Sequence, residues 1–151
     1  MHQVECVLKI CVHKFWVLAK IFKFCGILMW RGIVHDLSKC SANEFHRFAD
    51  TIQKLKGSTY GSPEYKMLLK ELGPALAHHY KVNSHHPEYY QGGVNDMTLY
   101  DFIEMYFDWE AAVKKHADGS VLDSLVINKK RFRLSPQIHK ILRNTFRRGN
   151  K

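Results

Sequence analysis

Apolar residues recur every three to four positions along most of this chain, and nowhere do they alternate with period two for long. A strand with one buried face needs the second pattern and an amphipathic helix needs the first. The chain is therefore expected to be all-α. Val7, Ile10, Val17, Ile21, Phe24 and Leu28 place a helix over residues 3–25, with His13 on the same face. Gly26 and Gly32 punctuate it, and a short second helix is expected from Trp30 to Leu37. Ser41-Ala42-Asn43-Glu44 has the capping-box pattern and opens a helix to about Lys56. Gly57 to Gly61 is a loop, and Ser62-Pro63 opens the next helix with an N-cap and a proline at its first position. Gly73-Pro74 should break or restart that helix, which then runs from Ala75 to Tyr80. Residues 81–97 read as an ordered polar loop. Thr98 to Asp101 caps a strong helix to about His116, Asp118-Gly119 is a turn, and Ser135-Pro136 caps a last helix through Phe146. Val126-Ile127 fits a short strand or a helix equally well.

With 151 residues, no internal repeat and no linker, the chain is expected to form one domain over 1–151. No run reaches the roughly 18 apolar residues of a membrane helix. Lys9, Lys14, Lys20 and Lys23 interrupt the apolar N-terminal segment at helical spacing, which reads as an amphipathic helix with no membrane contact. No small-residue cleavage site follows a clean apolar run, so a cytoplasmic protein is expected. The four cysteines, Cys6, Cys11, Cys25 and Cys40, form no CxxC pair and read as reduced core thiols. The net charge of +9 is confined to one place. Nine basic residues and no acidic one fall in 124–151, while the rest of the chain is balanced. That basic C-terminal segment, with Phe132 and Phe146 interleaved, fits nucleic acid or a solubilising or intersubunit face.

The chemistry-bearing residues are histidines and carboxylates. His35-Asp36 can aim an imidazole and a carboxylate at one divalent ion. His78-His79 and His85-His86 put four histidines in nine residues. Asp108 lies on the apolar side of its helix, where a carboxylate needs a metal or a donor. Asp101 and Glu104 share that face and read as capping or solvated charges. Ala75 and Leu72, four and seven residues before His79, put His79 on the buried stripe, whereas His78 follows the more polar line of Pro74 and Glu71. His79 is thus the expected inward ligand, and His78 the group facing the substrate or a second metal. Pro87 favours extended backbone before it, so His85 and His86 should splay apart, with at most one ligating.

The order His13, His35-Asp36, Asp108 resembles the H…HD…D pattern of the HD-domain metal-dependent phosphohydrolases. The segments GIVHDLSKCSANEF, ALAHHYKVNSHHPEYY, MTLYDFIEMYFDWEAA and RFRLSPQIHKILRNTF extend the likeness to an HD-like family of phage and bacterial proteins. The resemblance implies an all-helical HD bundle with a metal cleft between helices, in the host cytoplasm if the protein is of phage origin. It implies that His13, His35, Asp36 and Asp108 hold one ion. Paired histidines resembling His78-His79 hold a second ion in the HD-GYP relatives. Here the GYP triplet is absent, and the only histidine between the two pairs, His46, sits close to the HD pair. His85 and His86 are alternative second-metal or phosphate groups. Lys39 resembles the lysine that often follows the HD pair near the substrate phosphate.

The function so implied is hydrolysis of a nucleotide or another small phosphorylated substrate by a metal-activated water, with one or two Mn, Fe, Co, Ni or Zn ions. Asp36, Lys39 and His78 are the expected catalytic residues. Two other functions fit the same residues. An HD scaffold can hold two irons and activate oxygen, with Tyr60, Tyr80, Tyr89 and Tyr90 near the histidines. The chain could equally be a nucleic-acid-binding module whose His/Asp cluster is structural. No P-loop, GxGxxG or GxSxG occurs, so motor, Rossmann and serine-hydrolase chemistry have no support.

Overall fold

The computed structural model describes residues 2–56, 58–59, 62–114 and 119–149. Among these residues there is helix and no strand, so the protein is all-α. The chain divides into two compact units, Met1–His35 and Asp36–Lys151.

The first unit is one helix, α1 (His2–Val34). The interruption expected at Gly26 and the separate helix from Trp30 do not occur. Neither Gly26 nor Gly32 has a positive φ, so neither acts as a helix stop. An internal glycine costs about 1 kcal/mol relative to alanine, too little to end a long helix. Cys6, Cys11 and Cys25 on α1 are free and exposed, as is Cys40, which corrects the reading of core thiols. No described helix is long and apolar enough to cross a membrane.

The second unit contains α2 (Phe45–Lys56), α3 (Pro63–Val82), α4 (Leu99–Val113), α5 (Val121–Arg131) and α6 (Pro136–Gly149). Short 3-10 turns lie at Leu37–Cys40, Pro87–Tyr89 and Gly93–Asp96. The sequence punctuation explains most boundaries. Ser62 Oγ accepts from the Tyr65 amide with Pro63 in the first turn. Thr98 and Asp101 form a complete capping box. Ser120 and Ser135 accept from Asp123 and Ile138, opening α5 and α6. The undecided Val126-Ile127 lies inside α5. The end of α4 expected near His116 and the turn at Asp118 lie outside the described residues, as does most of the loop at Gly57–Gly61.

Two boundaries bear on the site. The break at Gly73-Pro74 is a kink within α3, with Gly73 at φ 36° and ψ −110°. A side chain there would be strained by about 1–3 kcal/mol, so glycine is required where α3 bends before its histidines. At the other boundary, α2 starts at Phe45, and residues 41–44 form a turn. The Ser41 carbonyl accepts from Glu44 and Phe45 at 3.1 and 2.9 Å, but Ser41 Oγ caps nothing. The Glu44 carboxylate is fully buried and turned elsewhere.

Two apolar clusters hold this unit. Met105, Tyr106 and Trp109 of α4 pack with Leu125 of α5, Leu134, and Leu142 of α6. Trp109 stacks on Phe132 with ring centroids 5.7 Å apart. Phe48 of α2 packs with Leu72 and Ala75 of α3. Each large side chain so buried contributes about 1.5–3 kcal/mol. The second cluster fixes α2 against α3, and thereby Glu44 against His79.

Candidate metal centre

The centre is built from four segments of the second unit. Asp36 has a left-handed backbone at φ 57°, a conformation aspartate tolerates better than most residues. It leads into the Leu37–Cys40 turn, which brings Lys39 Nζ back onto Asp36 Oδ2. Lys39 also lies over the Phe48 ring, 5.1 Å from its centroid. His79 sits in the last turn of α3 and is buried. Beyond α3 the His86 amide bonds the Asn83 carbonyl at 3.2 Å, and the chain turns back on itself. His86 is extended before Pro87, as expected, yet the turn brings the His85 and His86 rings together with centroids 4.1 Å apart. The expected splaying of these two rings is therefore corrected, and both offer a ring nitrogen to the same centre.

Ligand atoms of Asp36, His79, His85 and His86 all lie within 4.8 Å of one another. His79 Nε2 is 3.2 Å from Asp36 Oδ1 and 2.9 Å from His86 Nε2, and His85 Nε2 is 3.4 Å from Asp36 Oδ1. Metal–nitrogen bonds of about 2.0–2.1 Å in a tetrahedron put ligand atoms roughly 3.4 Å apart. The separations of the four donors therefore suit one ion. His85 and Asp108 also offer donors within 4.8 Å of each other.

The outward ring nitrogens are braced by carboxylates. His79 Nδ1 is 2.9 Å from Glu44 Oε2, and His85 Nδ1 is 3.1 Å from Glu104 Oε1. A proton on each Nδ1 donated to its carboxylate leaves the Nε2 lone pairs directed inward, the tautomer a metal ligand requires. Glu44 serves a second imidazole as well, since His78 Nδ1 lies 2.7 Å from Oε1. Ser38 Oγ donates to Oε2 at 3.1 Å and is itself held by Asn83 Nδ2 at 2.7 Å. Asp101 anchors the histidine loop to the start of α4. It accepts from Ser84 Oγ at 2.6 Å, from Tyr90 Oη at 2.8 Å and from Thr98. Arg131 ties α5 to the same loop through Glu88 at 2.6 Å and to α3 through Tyr80 Oη at 3.1 Å.

The residues singled out from the sequence are placed as follows. Asp36, His79, His85 and His86 share the centre, Lys39 pairs with Asp36, and Asp108 is half-buried beside His85 on α4. His78 is half-buried against the other carboxylate oxygen of Glu44, with Nε2 3.2 Å from Asn43 Nδ2. His13 and His35 belong to the first unit, His13 exposed on α1 and His35 half-buried just after it. Glu44 and Glu104 are braces that the sequence does not announce, because the capping-box pattern accounts for Glu44 and the acidic face of α4 for Glu104. A histidine pair on a helix, with carboxylates elsewhere on apolar faces, is the signal that would have found them.

The sequence pattern of a family of unknown function, DUF5662, matches residues 2–148. The chain belongs to the DUF5662 family. No curated protein and no solved structure matches it. The buried His/Asp group of this DUF5662 chain could hold a metal ion.

Electrostatics agree with that capacity. Asp36, Glu44, Glu104 and Asp108 crowd the histidines, with Lys39 as the neighbouring ammonium. Burial acts to raise the Asp36 pKa, but in the metal-free protein hydrogen bonds donated by Nε2 of His79 and His85, in the protonation that a bound ion would replace, and the charge of Lys39 outweigh it and hold the carboxyl well below its usual range. Burial, then the neighbouring His85 and His79, push the His86 imidazole down to about 3, against the opposing pull of Asp108 and Asp36. His86 is thus neutral at neutral pH, as ligation requires. The unfolded chain takes up this proton near pH 6.5 and the folded chain only near 3. Stability is complete above the unfolded value and falls as the pH drops between the two. Protein stripped with chelator is expected to lose about 2 kcal/mol from pH 7 to pH 5 through this group. Urea midpoints at the two pH values check this, and equal midpoints contradict it.

Proposed function

We propose that the protein is a metal-dependent phosphohydrolase acting on a nucleotide or another small phosphorylated substrate. The observation that carries this reading is the convergence of Nε2 of His79 and His85 on Asp36 Oδ1 with His86 Nε2 beside them at His79 Nε2, two of the rings being braced by buried or half-buried carboxylates. The order His13, His35-Asp36, Asp108 resembles that of the HD-type phosphohydrolases, and Asp36 is the residue of that order that belongs to this centre. Nitrogen donors in the majority favour Mn, Fe, Co, Ni or Zn over Mg or Ca. Asp36, His79, His85 and His86 would hold such an ion, which would lower the pKa of a water and neutralise phosphoryl charge.

The side chains supply the rest. Glu44 and Glu104 fix the tautomers of His79 and His85 and hold their rings in place. Lys39, partly exposed at Asp36, attracts a phosphoryl oxygen and stabilises the charge that builds on it. His78, braced by Glu44, keeps Nε2 at the surface for protonating the leaving group. Four free cysteines suit a reducing compartment, and we read the protein as cytoplasmic.

The test is a panel of phosphomonoesters, nucleotides and cyclic nucleotides assayed with Mn, Fe, Co, Ni, Zn and Mg. Phosphate release that needs a transition ion and is lost in Lys39→Ala is expected. No release with any ion, together with oxygen uptake on iron loading, overturns the reading in favour of an oxygenase.

A further inference from the structure

The basic C-terminal segment takes no part in the metal centre beyond the tie made by Arg131. Helix α6 is amphipathic. Ile138, Leu142 and Phe146 recur at i, i+4 and i+8 and pack on the core cluster. Lys140, Arg143 and Arg147 fall at i, i+3 and i+7 on the outer side and are exposed. On α5, Lys129 lies near enough to raise the positive potential at His139, whose imidazole is held below its ordinary value by burial and by the charges of Lys129 and Arg143. Among the described residues, none of these four cations has a carboxylate partner. No acidic residue follows Asp123 in the sequence.

We propose that the outer face of α6, together with Lys129, binds the phosphate backbone of double-stranded nucleic acid. Seven residues of helix rise put Lys140 and Arg147 about 10 Å apart along the axis. That length spans roughly three phosphates of one strand. Arginine is suited to such contacts because its guanidinium meets phosphate oxygens two at a time. Single-strand binding needs exposed aromatic platforms, whereas Phe132 stacks on Trp109 and Phe146 packs on the core. A membrane surface is disfavoured because Ile138, Leu142 and Phe146 are committed to the core, which leaves Ile141 as the single exposed large apolar side chain among the described residues of α6, too little for an insertable apolar face. Recognition by this face reads the backbone and carries no base specificity.

Fluorescence anisotropy of the full chain with a labelled DNA duplex, from 50 to 200 mM salt, tests the assignment. About three neutralised phosphates give a log–log salt slope of about −2.7 and roughly a 40-fold loss of affinity over that range. The combined variant Lys140→Ala, Arg143→Ala, Arg147→Ala is expected to bind at least about tenfold more weakly with a flatter slope. Its melting temperature should be unchanged, since the side chains are exposed. The charge-keeping variant Lys140→Arg, Arg143→Lys, Arg147→Lys should restore binding, and Asp36→Ala should leave it intact. Absent binding at 50 mM salt, undiminished affinity in the alanine variant, or binding to phosphatidylserine vesicles in place of the duplex overturns the assignment.

Discussion

His79→Ala is expected to empty the centre, with metal content falling to about a tenth of the wild-type value or below. The change removes one inward Nε2, the atom lying within 3.2 Å of Asp36 Oδ1 and 2.9 Å from His86 Nε2. It also leaves the fully buried Glu44 without the 2.9 Å partner on its Oε2. Glu44 keeps His78 and Ser38, so the loss is that of one buried hydrogen bond, about 1–3 kcal/mol, together with the space left by the ring, and the variant should melt below the wild type even after chelator treatment. His78→Ala is the contrasting case. It touches the other oxygen of Glu44 from a half-buried position, and should keep the metal while losing rate. Elemental analysis and melting curves of the two variants decide between these outcomes. Equal, mild effects at both positions would mean that the histidines form an ordinary polar loop.

Glu44→Ala carries the second large effect. One carboxylate holds His78 Nδ1 at 2.7 Å, His79 Nδ1 at 2.9 Å and Ser38 Oγ at 3.1 Å, with no exposure to solvent. Alanine leaves three buried or half-buried polar groups short of an acceptor and opens a space at a fully buried position. A loss of about 3–5 kcal/mol in the metal-free protein is expected. Metal affinity should weaken by about 10–100-fold, because the His79 ring loses the group that sets its tautomer. Glu44→Gln, which keeps the shape and one acceptor, should recover part of both. Urea unfolding gives the first quantity and competition with a metal indicator the second. An unchanged metal affinity in Glu44→Ala would show that the carboxylate is a structural partner of the histidines alone.

The helical class and most helix starts are legible because they depend on neighbours in sequence. Thr98 with Asp101, Ser62 with Pro63, and the Gly73-Pro74 kink all form as their local chemistry dictates. The same local grammar misleads at Ser41 to Glu44, where a motif identical in kind is left unmade. There the carboxylate finds a stronger demand 34 and 35 residues away, at His78 and His79. Distant partners also explain Glu104, whose role appears only once the 83–86 turn sets His85 against α4. That turn is invisible to the preference of Pro87, which fixes one residue's backbone but not the direction of the two rings. Gly26 and Gly32 show the converse, a local signal too weak to break α1. The inward position of His79 could be read from Leu72 and Ala75, because all three lie on the one stripe of α3 that is buried.

Elemental analysis of protein freshly purified without chelator or added metal is the most direct measurement of the centre. About one equivalent of a divalent transition ion per chain is expected, removed by chelator with a fall in melting temperature and restored with the ion. Protein that carries no metal, takes up none on addition, and melts at the same temperature with and without chelator would contradict a metal site at Asp36, His79, His85 and His86.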